Sequence, residues 1–208
     1  AAVTEGKQQG YRVDVANASF DPRKQTQQVH AFLERGVFAI IICPCDPAGI
    51  GSAIRKANEA GIPVFTADMQ CTAADAKVIT HVGTDNLLGG RQAAQAMIQA
   101  AGNEGGSVLL LDFKAALACR LRIKGFREEI AQHNKGRMKG AIKIVAQLDG
   151  GAQRQESLVV AKDAIRAHPD LRGIFAINDP SALGASLAVR EAKLSEQVTI
   201  VGFDGQLA

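Results

Sequence analysis

The sequence predicts an α/β protein: parallel strands covered by helices on both faces, in two successive βα series. Three observations carry this. Short apolar runs alternate with longer stretches of helical period along the chain. Several runs are apolar throughout, as strands buried on both faces are. Helix starts are marked by Asp-Pro pairs close behind such runs, so strand and helix alternate in the order that parallel crossovers require.

The first apolar run, 11–15, predicts a strand, and the stretch 22–34 predicts a helix. Asp21 stands there as N-cap and Pro22 occupies the first helical position, where a missing N–H costs nothing. Run 37–43 is the longest and has strand length. Asp46-Pro47 repeats the start signal for a helix over 47–60. Runs 63–66 and 78–82 follow as strands, and Asp85 caps a helix over 86–101. In the second series, strands are predicted at 107–111, 141–145, 173–177 and 198–203. Helices are predicted at 116–132, 154–167 and 180–192, the last opened by Asp179-Pro180. Three glycines within 101–106 separate the two series, so the break is placed there, giving domains of 1–102 and 103–208.

Composition narrows the function. The 208 residues are 47% hydrophobic and 22% charged, with 24 Lys+Arg against 21 Asp+Glu, a net +3, which excludes disordered, collagen-like and coiled-coil chains. No stretch approaches the roughly 18 apolar residues of a membrane span. Eight Phe, one Tyr and no Trp argue against a base-stacking surface, so no nucleic acid is expected as partner. Four cysteines in a chain of this length are no disulfide framework. No nucleophile, P-loop or metal motif occurs, so neither catalytic residue, cofactor nor metal is expected. Gly49-Ile50-Gly51 resembles a dinucleotide turn, with Asp68 at the distance of a ribose-binding acid. It lacks the third glycine and follows a loop too long for that turn.

Polar residues at predicted strand ends form a set: Asp68, Arg120, Asn178 and Asp204. Two carboxylates, an amide and a guanidinium suit the adjacent hydroxyls of a sugar, and Phe203 offers an apolar wall for a ring face. In open α/β folds these loops lie at the carboxyl edge of the sheet, where ligands bind. With Asp68 in the first series and the other three in the second, a cleft that closes by hinge motion is expected.

These residues stand in recognisable strings: 38–46, 60–68, 82–90, 175–179, 182–185 and 201–205. Taken together, they make the chain resemble the periplasmic sugar-binding proteins of bacterial ABC transporters, of the ribose-binding type. The resemblance implies a type I periplasmic-binding fold of two Rossmann-like domains joined by a hinge. It implies a protein that captures a pentose or hexose and delivers it to a membrane ABC permease, without chemistry of its own. It also implies a monomer in the periplasm or on a lipid anchor outside the membrane. By it Asp68, Arg120, Asn178, Phe203 and Asp204 contact the sugar. Cys43 and Met69 stand where the family pattern has Asn and Arg, and the aromatic expected near 150–153 is missing, so ribose itself is not implied. The chain is expected to lack the family's first strand and its C-terminal portion. The same fold forms the effector-binding core of lac-repressor-type regulators, which is the alternative. A dinucleotide-binding enzyme domain is third.

Overall fold

A computed structural model describes residues 2–205 and shows two compact units, Ala1–Thr84 and Asp85–Ala208. The first contains α1 (Ala2–Gln8), α2 (Pro22–Glu34), β1 (Ile40–Ile42), α3 (Gly51–Glu59), β2 (Val64–Ala67) and β3 (His81–Val82). Its three strands run parallel in the order β1-β2-β3. Ile40, Ile42 and Val64 pack with Ile50, Ala53, Ile54 and Ala57 of the α3 segment and Val29 of α2 to form its core.

The second unit contains α4 (Asn86–Ala101), β4 (Gly106–Asp112), α5 (Leu117–Asn134), β5 (Ile142–Asp149), α6 (Arg154–Ala167), β6 (Leu171–Ala176), α7 (Asp179–Glu191) and β7 (Thr199–Val201). Its parallel sheet has the order β5-β4-β6-β7. Side chains of a strand alternate between faces, and here both faces are covered. Val108, Leu110 and Phe175 face α4 and α5 with Met97, Ile123 and Phe126. Leu109, Leu111 and Ile174 face α6 and α7 with Leu158, Ile165 and Val189. The rings of Phe126 and Phe175 stack with centroids 4.5 Å apart. The predicted α/β class with parallel, doubly covered strands is therefore what the second unit displays.

Several expectations are corrected. The break expected at 101–106 lies between Thr84 and Asp85. The reason is packing: α4 lies on α5, and Gly90 and Gly125 let the two backbones meet. A Cβ at Gly90 would stand 2.0 Å from the Arg122 carbonyl oxygen, and one at Gly125 would stand 2.0 Å from that of Leu87. Gly102, with φ 57, ends α4 within the second unit. Residues 11–15 are not a strand. They have the composition but no ladder, because β1 pairs only with β2, and Tyr11 and Val15 stay 61% and 74% exposed. The helix α1 was not anticipated, since its seven residues show no apolar period and include Val3, Thr4 and Gly6, which favour helix little. Two helix starts also move. Asp46 accepts from Ala48 N–H in a turn, and α3 begins at Gly51. Asn178, not Asp179, caps α7 by accepting from Ser181 N–H. Asp21 and Asp85 cap α2 and α4 as expected.

The close crossing of α4 and α5 predicts that Gly90→Ala or Gly125→Ala lowers stability by about 1–3 kcal/mol, the usual result of overpacking a tight contact. Urea unfolding of each variant measures it.

Candidate functional site

Each parallel sheet presents the loops after its strands at one edge. In the first unit Cys43 follows β1 and Asp68 follows β2, and the two strands are paired neighbours. Their side chains meet: Cys43 Sγ donates to Asp68 Oδ2 at 3.6 Å. The backbone of Asp68 is held at φ 61, a left-handed conformation uncommon for a residue with a Cβ. It is fixed by two backbone bonds, from Asp68 N–H to Val82 O (2.8 Å) and from Met69 N–H to Ala67 O (2.7 Å). The carboxylate is thereby aimed off the strand end and stays exposed. Desolvation pushes the Cys43 thiol above the ordinary value, and the Asp68 carboxylate pushes the same way. Cys43 therefore remains a protonated donor at neutral pH.

Gln25 of α2 secures the same edge from behind. Its Nε2 donates to the Cys43 carbonyl and its Oε1 accepts from Cys45 N–H, both at 2.8 Å. Beneath β2, Thr66 Oγ1 is bonded to His81 Nδ1 at 2.9 Å.

In the second unit the structure brings together Phe203 and Asp204 with a residue the sequence reading passed over. That residue is Arg122. Its side chain is 9% exposed. Nε donates to Asn86 Oδ1 at 2.8 Å and Nη1 to the Ile177 carbonyl at 2.6 Å. Nη2 lies 3.1 Å from Asp204 Oδ1. The guanidinium lies over the Phe203 ring, 3.8 Å from its centroid, a cation–π contact. Phe203 in turn packs on Gly89 of α4, where a Cβ would stand 2.5 Å from the ring. Asp204, at φ 91, is bent back towards Arg122 and is partly exposed. Asn178 donates to the Ala152 carbonyl as it caps α7.

Arg120 is not in this set. It is exposed, and its Nη1 donates to the Lys114 and Ala115 carbonyls of the loop before α5. Two residues along a helix turn the side chain through about 200°, so Arg120 and Arg122 occupy opposite faces. The signal was present. Arg122 stands four residues before Phe126 and three after Cys119, on the buried stripe of α5. A charge on that stripe requires partners, and they are at the sheet edge.

Among the described residues no cluster of His, Cys, Asp or Glu could hold a metal ion, and no helix is long and apolar enough to cross a membrane.

The Cys43–Asp68 contact predicts a reactivity change. Asp68→Asn removes the carboxylate that raises the thiol, so the thiolate fraction at a given pH rises. Alkylation of Cys43 by iodoacetamide at pH 8, followed by peptide mass spectrometry, should be several-fold faster in that variant.

Comparison with known proteins places this geometry in context. The ribose import binding protein RbsB of Salmonella typhimurium is 33% identical over 204 residues, covering 98% of this chain and 66% of its own length. A D-apiose import binding protein of Paraburkholderia graminis is 32% identical, covering 98% of this chain and 63% of its own length. The chain thus spans slightly under two thirds of these relatives. A crystal structure of an ABC transporter periplasmic solute-binding protein from Actinobacillus succinogenes, with bound D-allose, superposes with a TM-score of 0.86 at 30% identity. That match covers 98% of this chain and 71% of the other. The periplasmic binding protein domain matches residues 1–208, and the chain belongs to that family.

Proposed function

We propose that this protein captures a small sugar, a pentose or hexose, and delivers it to an ABC permease from outside the cytoplasmic membrane. It acts as a monomer and performs no reaction on the sugar. The observation that carries the reading is the chemistry collected at each unit's own sheet edge. The first unit aims the Asp68 carboxylate, an acceptor for a sugar hydroxyl. The second holds a fixed set: the Arg122 fork, the Asp204 carboxylate, the Asn178 amide and the Phe203 ring. A guanidinium already fixed by Asn86 and Ile177 needs little further ordering to meet a hydroxyl, which favours affinity. Relatives named for import of ribose and D-apiose support transport over the regulator alternative. The structure with D-allose supports the same class of ligand.

A sugar that binds only the folded protein stabilises it by about 2.7 kcal/mol at a hundredfold excess over Kd. For a chain of this size that is a rise in Tm of roughly 5–10 °C. A thermal-shift screen of pentoses and hexoses on the purified protein should find at least one such sugar. Screening without any response would remove the sugar reading. Calorimetry with that sugar should show Asp68→Ala and Arg122→Lys each weakening binding at least about tenfold, with Arg120→Ala within threefold of the parent. Arg122→Lys keeps the charge while losing the fork, so its loss is separable from unfolding by an unchanged circular dichroism spectrum.

A further inference from the structure

The tips of β1 and β2 give most of their hydrogen-bond donors to each other and to their supports. Cys43 S–H is given to Asp68 Oδ2 at 3.6 Å. Cys45 N–H is given to Gln25 Oε1 at 2.8 Å. Asp68 N–H goes to Val82 O at 2.8 Å, and Met69 N–H goes to Ala67 O at 2.7 Å. Pro44 has no N–H to give. The Cys43 carbonyl is already taken by Gln25 Nε2. Outward from this stretch stands the exposed Asp68 carboxylate, flanked by exposed Cys43 and partly exposed Met69.

A sugar hydroxyl both donates and accepts. Beside Asp68 one hydroxyl can donate to the carboxylate. A neighbouring hydroxyl placed against the Cys43 sulfur or the Met69 thioether meets weak sulfur acceptors, with the Cys43 S–H and the Asp68 and Met69 N–H groups already given to other acceptors. It would lose its water and gain little in exchange. A methyl or methylene group in that place loses nothing and gains contact with polarizable sulfur.

We propose that the first unit selects a solute with one hydroxyl beside a deoxygenated carbon, so that the protein prefers a deoxy sugar to its fully hydroxylated parent. The proposal rests on the sugar-binding reading. It makes Cys43 and Met69 the residues that set specificity, while Asp68 supplies the polar anchor.

Calorimetry on three matched pairs tests it: D-galactose against D-fucose, L-mannose against L-rhamnose, and D-ribose against deoxyribose. The expected result is that, in a pair that binds, the deoxy member binds about 10–100-fold more tightly, since an unmatched hydroxyl in an apolar place costs at most that much. A Cys43→Asn, Met69→Gln double variant restores donors and should bring the two members within threefold. If the parent sugar binds as tightly as its deoxy partner, the proposal falls and the sugar-binding reading stands. If the double variant leaves the preference unchanged while its unliganded Tm stays within 2–3 °C of the parent, as expected for a change of under about 1 kcal/mol, the role given to Cys43 and Met69 is wrong. If no member of any pair binds and the wider sugar screen is also silent, both readings fall together.

Discussion

A single guanidinium organises the carboxyl edge of the second unit's sheet. Arg122 is almost withdrawn from water, and a charge so placed must be paired and hydrogen-bonded or it destabilises the fold. Its four partners come from different parts of the chain: Asn86 from α4, the Ile177 carbonyl after β6, and Phe203 and Asp204 after β7. The last strand is short, with only Thr199–Val201 laddered to β6. The segment behind it therefore takes its position from Arg122 as much as from the sheet. The bonds that permit its burial also fix the orientation of its fork.

The packing beneath explains why Arg122 can be there. Gly90 and Gly125 bring the α4 and α5 backbones into contact, which places Asn86 within reach of Arg122. Gly89 leaves room for the Phe203 ring on the same helix. Glycine in a helix interior is unfavourable by about 1 kcal/mol relative to Ala, so three of them are explained by close approach rather than by propensity. The first unit solves its edge differently. Asp68 is bent into a left-handed conformation, and the bend is held by backbone bonds to neighbouring strand residues. There the group at the edge is an exposed carboxylate that accepts from a thiol.

Much of the architecture could be read from the sequence because local signals agreed with tertiary ones. The helix over Asn86–Ala101 is marked by its Asp85 cap and its glycine stop, and the apolar run at β4 is buried on both faces as its composition demands. Asn178, Asp204 and Asp68 were legible as polar residues that directly follow apolar strands. What escaped depends on partners that lie far away in sequence. The run 11–15 has strand composition, but a ladder needs a neighbour and no local pattern supplies one. The glycines at 102–106 look like a linker, yet contacts of α4 with α5 put them inside the second unit. Arg120 and Arg122 differ only in which face of α5 they occupy. Periodicity distinguishes them only once the buried stripe through Cys119, Ile123 and Phe126 is traced first.

The account turns on Arg122 being the guanidinium that meets the ligand. A crystal structure of the protein with its tightest-binding sugar addresses this directly. The account predicts a sugar oxygen within hydrogen-bond distance of an Arg122 nitrogen, with the Arg122 contacts to Asn86 and Ile177 preserved and Arg120 remote from the sugar. A sugar bound to Arg120, or bound with no contact to Arg122, would contradict it.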